Sequence, residues 1–369
     1  MSTPEAGPVH PPVSVIVPVL DEEASLRQAV DRILADDYPG EVEIVLAVGP
    51  SKDRTEQIAA QLADENPHIV VVANPSGRTP EALNRAIAAS HHQVIVRVDA
   101  HGFLPAGYVS RVVELLRETG AANVGGVMVP EGVTPLEQAV ARAMSSPLGI
   151  GAVQFHTGGE PGPADSVYLG TFRRDVLEQL GGFDEHFTRA QDWELNYRIR
   201  QAGHTVWFDP SLRVGYRPRG SFRALWRQFN GGGRWRREVM SRYPETASAR
   251  YLAPPAAVVA VAVGTAAGLV GSFGGPRALA WGWVAPAGYA LAVAAGSLVA
   301  GRDLPLSALV RLPAVVATMH GSWGLGFLRG GAGTVGGAAG GGYPVSVASG
   351  PADAKPASSR PETSEDLPR

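Results

Sequence analysis

The segment VIVRVDAHGF, residues 94–103, ends an apolar, strand-forming run in an acid, and a histidine follows two positions later. From a tight turn, the carboxylate of Asp99 and the imidazole of His101 can reach one divalent cation. Oxygen ligands suit Mg²⁺ or Mn²⁺, and an imidazole shifts the preference toward Mn²⁺. A strand that simply ends in a polar turn has the same pattern, so these residues form a candidate metal site.

A second candidate is the segment QDWELNYRIR, residues 191–200. At helical spacing Leu195 and Ile199 share the side of Asp192, which predicts that Asp192 faces the body of the protein at a helix start. A carboxylate there can act as general base for a hydroxyl nucleophile, and the helix N-terminus favours its ionised form. Simple capping of the helix is the alternative role for an acid at this position.

Polar side chains also follow the three earlier strand-like runs: Asp21 and Glu22, Ser51 and Asp53, and Arg78. Backbone N–H groups at a helix start favour an anion, and the acids can accept hydrogen bonds from a base or ribose. A lone arginine after a strand suits a diphosphate. Capping explains the acids equally well, and a solvated loop position explains the arginine.

The first half of the chain alternates short β-branched runs with helical patterns. Strands are predicted at 13–18, 42–48, 69–73, 94–100 and 123–129, with helices near 22–35, 53–65, 79–90 and 105–118. This alternation predicts an α/β fold with a mostly parallel sheet covered on both faces. Ligands bind such sheets beyond the carboxyl ends of the strands, where the candidate residues fall.

Later elements are predicted with less regular spacing. Residues 146–166 are rich in Gly and Pro and predict a loop, and a helix is expected from about Arg173. A helix over 191–203 and a strand over 205–210 follow.

Composition excludes several classes of protein. The 32 Lys and Arg residues nearly balance the 35 Asp and Glu residues, for a net charge of -3, so no nucleic-acid partner is indicated. The chain has no cysteine, which excludes disulfides, thiolate chemistry and cysteine-ligated zinc. Its N-terminus lacks the basic and apolar regions of a signal peptide, so we expect residues 1–250 to begin in the cytosol.

Two apolar stretches, residues 256–273 and 278–300, each approach the ~20 residues that cross about 30 Å of hydrocarbon. Arg277 is the only charged residue between positions 251 and 301. The alternative is a pair of buried Ala/Gly-rich core helices. A third stretch, 304–328, contains an arginine and a histidine, which leaves its crossing of the membrane open.

The segment before these stretches is basic and aromatic, is interrupted by three glycines at 231–233, and suits a helix lying at a membrane surface. The Gly-rich and then Pro/Ser-rich tail predicts disorder. The predicted organisation is a disordered N-terminus (1–12), a catalytic domain (13–220), an amphipathic interfacial segment (221–250), a membrane region of two to three helices (251–329) and a disordered tail (330–369).

Taken in order, the motifs resemble glycosyltransferase family 2, whose members have the GT-A nucleotide-sugar-binding fold. The resemblance spans roughly residues 13–245 and rests on VPVLDEEASL, SKDRT, RTPEALNRAI, RVDAH, YLGTFRRDVLEQLGGFDEHF and QDWE. The apolar C-terminal region makes the chain similar to the membrane-anchored succinoglycan-biosynthesis branch, whose members extend lipid-linked glycans. The resemblance therefore implies a glycosyltransferase, expected to transfer a hexose, in polysaccharide biosynthesis.

The resemblance also implies a role for each matching position. The nucleoside would be contacted by Pro18, Asp21 and Glu22, and less directly by Ser51 and Asp53. The diphosphate would meet Arg78, and a bridging Mn²⁺ or Mg²⁺ would be held at the family's Asp-x-Asp site by Asp99 and His101. The acceptor side would be formed by Gly170, Thr171, Trp193 and Glu194, and the catalytic base would be Asp192.

Three departures from the family pattern stand out. The acidic pair that usually ends the second strand is Val48-Gly49 here, which bears on recognition of uracil. His101 replaces the second metal-binding acid, and Gln191 replaces the acid before the base. A neutral neighbour lets Asp192 ionise more readily, so the second replacement is compatible with catalysis.

These observations predict an inverting, metal-dependent glycosyltransferase in the cell membrane, multi-pass, with a cytoplasmic catalytic domain. Its expected partners are a nucleoside-diphosphate sugar, a lipid-linked glycan acceptor and the membrane. Two alternatives stay open: a transferase of the same fold that moves sugar onto polyprenyl phosphate, and a catalytically inactive membrane scaffold.

Overall fold

The computed structural model of the chain describes residues 10–151 and 153–330. Of the two segments predicted to be disordered, 1–12 and 330–369, only residues 10–12 and 330 belong to the described part of the chain.

An eight-stranded sheet, ordered β3-β2-β1-β4-β7-β5-β8-β6, forms the centre of the fold. Its strands are β1 (Val13–Val19), β2 (Val42–Val48), β3 (Ile69–Ala73), β4 (Val94–Arg97), β5 (Asn123–Pro130), β6 (Gly162–Pro163), β7 (Tyr168–Arg173) and β8 (Val206–Tyr216). β1 pairs in parallel with β2 and β4, and β2 pairs in parallel with β3. β7 runs antiparallel between β4 and β5, and β5 pairs in parallel with β8. The predicted α/β class with a mostly parallel sheet is confirmed.

Helices connect the strands and cover the sheet. In the first 205 residues they are α1 (Leu26–Leu34), α2 (Thr55–Glu65), α3 (Thr79–Ala89), α4 (Tyr108–Thr119), α5 (Pro135–Met144), α6 (Pro147–Ile150), α7 (Gln154–Thr157), α8 (Arg174–Gln179) and α9 (Gln191–Gln201). α1 shows why they form: Leu26, Ala29, Val30 and Ile33 recur at helical spacing and are all buried, while the opposite side is polar.

The strands alternate their side chains between two apolar layers, as expected for a sheet covered on both faces. Val15 and Val17 belong to the layer beneath α1 and α4, whereas Ile16 belongs to the layer with α3 and α9. The candidate residues are therefore carried at the end of a rigid, doubly covered sheet.

Several predicted boundaries were wrong. β4 ends at Arg97 rather than at residue 100, so Asp99 and His101 lie in the turn after it. Residues 168–173 form the strand β7, which sequence periodicity did not indicate. β8 extends to Tyr216 instead of ending at residue 210. The predicted loop at 146–166 contains α6, α7 and β6, all of them short.

The remaining helices are α10 (Phe222–Arg242), α11 (Ala249–Ser272), α12 (Val284–Ala300), α13 (Leu306–Leu309) and α14 (Leu312–Arg329), with 3-10 turns at Pro244–Thr246 and Arg277–Trp283. The expected interruption of α10 at its three glycines was wrong. α10 continues through them because α14 packs there: a Cβ on Gly233 would lie 2.0 Å from the carbonyl oxygen of Trp323. Trp235 of this helix is buried against Phe187 of the sheet domain.

Two helices are long and apolar enough to cross a membrane: Ala249–Ser272, and Arg277–Ala300 with its leading 3-10 turn. Many of their large apolar side chains are strongly exposed, including Val263 at 62% and Trp281 at 78%, and Phe273 between the two helices is 84% exposed. The third apolar stretch differs from these two helices because much of it is buried against the rest of the protein. α14 buries Val315, Val316 and Met319 in a cluster shared with α5 and α12.

Candidate functional site

Arg97 and Asp99 place opposite charges side by side at the end of β4. The Nη2 and Nε atoms of Arg97 donate to Oδ1 of Asp99 over 3.0 and 3.2 Å. Nη1 of the same arginine donates to Oδ1 of Asp192 at the start of α9. The Arg97 side chain is only 6% exposed, whereas that of Asp99 is 20% exposed. One buried cation thus joins the predicted metal ligand to the predicted base.

Asp192 lies at the second position of α9, where the chain enters the helix through Ala190 in a left-handed conformation. Leu195 and Ile199 are fully buried beneath it, as the helical spacing predicts. No side chain caps this helix, so the capping alternative for Asp192 is wrong. Its side chain remains 39% exposed, which leaves the carboxylate open to an incoming hydroxyl.

Although part of the Asp192 side chain is exposed, the surrounding protein removes water from its carboxyl group, and this desolvation is the main cause of a pKa above the ordinary value. The positive charge of Arg97 opposes this rise, and the negative charge of Asp99 adds to it. For Arg97, burial alone would lower the pKa, but the charges of Asp192 and Asp99 outweigh it and raise the pKa. Arg97 is therefore a permanent cation beside a carboxylate with the raised pKa that suits a base.

The turns after β1 and β2 are joined by reciprocal hydrogen bonds. The backbone N–H of Asp21 donates to Oγ of Ser51 over 3.1 Å, and the N–H of Lys52 donates to Oδ1 of Asp21 over 2.7 Å. The N–H of Glu23 donates to Oδ2 of Asp53 over 3.2 Å. Asp21 adopts a left-handed conformation, with φ of 53°, to make this connection. The structure thus brings Asp21, Ser51 and Asp53 together, and their nucleoside contacts stay a prediction.

Glu22 connects β1 to the turn that carries the candidate metal ligands. Its Oε1 lies 2.7 Å from Nδ1 of His101, and its Oε2 accepts a hydrogen bond from Oγ of Ser25 over 2.6 Å. Burial lowers the pKa of His101, but the hydrogen bond and charge of Glu22 outweigh it, so the net pKa is raised. Glu22 is therefore an immediate neighbour of the candidate metal site as well as a predicted nucleoside contact.

The donor set at this turn fits a hard divalent cation only in part. Among residues 10–151 and 153–330, no group of three or more His, Asp or Glu side chains is arranged to hold a metal. Asp99 and His101 supply one carboxylate and one imidazole, with side chains 20% and 40% exposed. The remaining ligands of a cation here would be diphosphate oxygens or water, as is usual for Mg²⁺.

The predicted diphosphate arginine, Arg78, lies just before α3. Its Nη1 pairs with Oε1 of Glu81 over 2.7 Å, its Nη2 donates to the carbonyl of Glu185, and its side chain is 41% exposed.

Gly49, which follows β2, lies close to Gly77: a Cβ on Gly49 would lie 3.1 Å from Cα of Gly77. Gly49 stands where the family that this sequence resembles usually has an acid, and this position has little room for a side chain.

The predicted acceptor-side residues differ in accessibility. Thr171 is fully buried in β7, and a Cβ on Gly170 would lie 2.5 Å from Oδ1 of Asn123. Glu194 is also fully buried, where Nε of Arg198 donates to its Oε1 over 2.7 Å. Trp193 lies partly exposed beside Asp192. Of these four residues, Trp193 has the most accessible side chain next to the base, and contact with an acceptor stays a prediction for all of them.

Sequence reasoning missed Arg97. A signal for it was present, because a charged residue interrupts the apolar run VIVRVDA two positions before Asp99. In the predicted strand over residues 94–100 these two side chains share a face, which indicates that the arginine lies near the acid. Its second partner, Asp192, is 95 residues away in the chain, and local spacing gives no information about that contact.

The chain is similar in sequence to known glycosyltransferases and to a polysaccharide biosynthesis protein. The sequence profile described as Glycosyl transferase family 2 matches residues 14–181. The succinoglycan biosynthesis protein ExoA of Rhizobium meliloti (strain 1021) is 30% identical over 320 residues, which cover 85% of this chain and 93% of that protein. A dolichyl N-acetyl-alpha-D-glucosaminyl phosphate 3-beta-D-2,3-diacetamido-2,3-dideoxy-beta-D-glucuronosyltransferase of Methanococcus voltae is 22% identical over 225 residues, covering 58% of this chain and 70% of that protein.

A solved structure shares the fold. The mannosyltransferase PcManGT from Pyrobaculum calidifontis, in complex with GDP-Man and Mn²⁺, superposes with a TM-score of 0.54. The two chains are 22% identical, and the match covers 86% of each.

Proposed function

The chain belongs to glycosyltransferase family 2, and from that premise we propose that it is an inverting enzyme acting on a lipid-linked glycan. It would move a sugar from a nucleoside diphosphate to an acceptor hydroxyl. The observation that carries this proposal is the partly exposed carboxylate of Asp192, held by Arg97 beside Asp99. With the donor bound so that the base and the diphosphate lie on opposite sides of the reacting carbon, the transfer would be a single displacement.

In this mechanism Asp192 accepts the proton of the acceptor hydroxyl as its oxygen bonds to the anomeric carbon of the donor. The bond from that carbon to the diphosphate breaks in the same displacement, so the configuration at the carbon inverts. The raised pKa of Asp192 makes it a stronger proton acceptor than an ordinary carboxylate. Its 39% exposure leaves room for the hydroxyl to approach.

The donor side is proposed to consist of the turns after β1 to β4. Pro18, Asp21 and Glu22 would contact the nucleoside, with support from Ser51 and Asp53. Arg78, whose side chain is 41% exposed, would approach the diphosphate by exchanging its contacts with Glu81 and the carbonyl of Glu185 for phosphate oxygens.

Asp99 and His101 would hold Mn²⁺ or Mg²⁺ together with the donor, a use of metal supported by the Mn²⁺ in the complex of the mannosyltransferase PcManGT. When bound, such a cation supplies charge neutralisation for the departing diphosphate.

The lipid-linked acceptor is inferred from the C-terminal helices and from the name of the Rhizobium relative, a succinoglycan biosynthesis protein. We propose that α11 and the apolar helix ending at Ala300 form a membrane hairpin. The sheet domain would then lie in the cytoplasm, with its acceptor side near the lipid surface. Gly264 and Gly282 let these two helices approach closely, since a Cβ on Gly264 would lie 2.6 Å from the carbonyl oxygen of Gly282.

Donor binding by the full chain in detergent or nanodiscs tests this function. A panel of nucleotide sugars would be screened for binding and hydrolysis with Mn²⁺, with Mg²⁺ and with chelator. The retained donor would then be offered with lipid-linked glycans or with polyprenyl phosphate. We expect one donor to bind in a metal-dependent way and to be transferred to the glycan with inversion. Transfer to polyprenyl phosphate alone would change the acceptor class, and failure to bind any donor would contradict the enzyme activity.

A further inference from the structure

We infer that Arg97 is a positioning residue that fixes the carboxylates of Asp99 and Asp192 relative to each other. The inference rests on the proposed function, since it assigns Asp99 to the metal and donor and Asp192 to the acceptor hydroxyl. Arg97 itself touches neither substrate in this arrangement. It acts through the two acids.

The location of Arg97 supports this role. It is the last residue of β4, a strand held between β1 and β7, and it pairs directly with Ile16 of β1. Its side chain is 6% exposed, and a buried charge is tolerated only with close partners. The guanidinium is planar, so three N–H groups directed at two carboxylates define the orientation of both.

Arg174 shows what a structural arginine in the same protein looks like. It is nearly as buried as Arg97, but its guanidinium donates to the carbonyls of His92 and Ile87 and to Oγ of Ser90. Those hydrogen-bond acceptors are neutral and connect β7 and α8 to the end of α3. Its ion pair, 3.6 Å to the exposed Glu178 on the same helix, lies outside the proposed reaction site. Arg97, by contrast, bonds to two acids that both belong to the proposed reaction site.

The charge of Arg97 has two opposing consequences. It reduces the repulsion between Asp99 and Asp192, which stabilises their close approach. It also occupies Oδ1 of Asp99, so it competes with a cation for that carboxylate. Removing the arginine should therefore impair the geometry of the base and, at the same time, strengthen cation binding at Asp99. A residue needed only for stability would weaken both properties.

The experiment compares Arg97→Met, Arg97→Lys and the control Arg174→Met in the full chain. Mn²⁺ binding without donor would be measured by electron paramagnetic resonance, and kcat and donor KM by transfer assays. For Arg97→Met we expect kcat to fall on the order of 100-fold with donor KM within about three-fold. Mn²⁺ should bind roughly three- to ten-fold more tightly, because a neighbouring positive charge is lost. Arg174→Met should lower the thermal midpoint without tightening Mn²⁺ binding.

Arg97→Lys keeps the charge but cannot direct a planar fork at two acids, so kcat should fall at least about ten-fold with Mn²⁺ affinity near wild type. If Arg97→Met does not fold, Arg97→Lys still tests the positioning role of Arg97. A kcat within a few-fold of wild type in the folded variants, or Mn²⁺ affinity that falls together with the thermal midpoint, would overturn the inference. If Asp192→Asn is inactive while Arg97→Lys and Arg97→Met are active, positioning fails and the proposed function stands.

Discussion

Nδ1 of His101 lies 2.7 Å from Oε1 of Glu22, and this contact joins the turn after β4 to the turn after β1. When Nδ1 carries the proton and donates it to Glu22, the lone pair of Nε2 is free for a metal ion. A carboxylate that orients a histidine in this way is a common outer partner of metal-binding imidazoles. Glu22 is therefore placed as the outer partner expected of a metal-binding His101.

Changes at His101 and Glu22 should alter the response to metal in different ways. Activity is expected to require Mn²⁺ or Mg²⁺, with Mn²⁺ preferred because one ligand is an imidazole. His101→Asp should raise the relative use of Mg²⁺, and His101→Ala should reduce activity most at limiting metal. Glu22→Gln should weaken Mn²⁺ binding by about ten-fold or more, as for other outer partners of metal ligands. Metal titrations of activity check each outcome; activity that persists in chelator would show that His101 is only a turn residue.

Asp192→Asn should leave donor binding intact and lower kcat by a factor on the order of 10² or more, since an amide cannot accept the proton. Asparagine keeps the size of the side chain and an oxygen for Arg97, so the fold should be unaffected. The matched control is Asp175→Asn, an exposed acid on α8 with its own arginine partner. Donor binding and single-turnover transfer provide the measurements, and near wild-type turnover would place the base elsewhere.

The sheet was predictable because its strands are nearly continuous β-branched runs separated by amphipathic helices. The periodicity of Val13–Val19 and Leu26–Leu34 is a local property, and both elements form where it predicts them. β7 was missed because YLGTFR has little apolar alternation, and it becomes a strand through pairing with β4 and β5. The continuity of α10 through its glycines likewise depends on α14, about 90 residues later.

The sequence predicts which candidate residues follow each strand, but it does not predict the contacts between residues at different strand ends. Each acid could be placed after its strand, but partners far apart in the chain depend on the sheet order. Glu22 with His101 and Arg97 with Asp192 are both of this kind. Asp53 bonds to the start of α2 without being its N-cap: Oδ1 of Asp53 accepts from the N–H of Thr55, and the N-cap residue is Arg54.

Glu43 should make the sheet domain less stable in acid. Its carboxylate accepts hydrogen bonds from Oγ of Ser14 and the N–H of His91, both over 2.5 Å. Burial raises the pKa of Glu43, but the bonds from His91 and Ser14 outweigh it and the net pKa is lowered. This stabilisation is fully present above the ordinary value of 4.5 and is lost as pH falls through the lowered folded-state pKa.

Glu43→Gln should therefore destabilise the protein by about 1–3 kcal/mol at pH 7, the usual cost of disrupting buried hydrogen bonds to a charged group. The difference from wild type should shrink as pH falls below 4.5. Thermal midpoints between pH 7 and pH 4 provide the measurement, with the exposed Glu41→Gln as control. A difference that is constant with pH would mean that the charge of Glu43 does not contribute.

The contact between α10 and α14 should tolerate no side chain at Gly326. A Cβ there would lie 2.1 Å from the carbonyl oxygen of Asn230, and backbone atoms cannot rotate away. Gly326→Ala is expected to destabilise the protein by roughly 1–3 kcal/mol. Gly321→Ala, on the same helix with open space around it, should be neutral or slightly stabilising. Thermal midpoints of the two variants in detergent decide this, and equal midpoints would contradict the close packing.

The chain should cross the membrane an even number of times, because α14 contacts both the beginning and the end of the apolar hairpin. A Cβ on Gly324 would lie 2.7 Å from the carbonyl oxygen of Pro254, near the start of α11. A Cβ on Gly301, just after α12, would lie 2.9 Å from Leu312. α14 also packs on α5 of the sheet domain, so the chain returns to the side on which it left. The arginine-rich α10 favours the cytoplasm for that side.

Single-cysteine labelling tests this topology cleanly, since the chain has no cysteine of its own. Cysteines would replace exposed residues before, within and after the hairpin: Ser241, Phe273 and Leu306. A membrane-impermeant maleimide added to intact cells should label Phe273→Cys, at the tip between the two helices. Ser241→Cys and Leu306→Cys should react only after lysis. Ser241 lies before the first crossing and Leu306 after the second, so both lie on the cytoplasmic side. Labelling of Ser241→Cys from outside would place the catalytic domain outside the cell, and labelling of Leu306→Cys alone would mean an odd number of crossings before it.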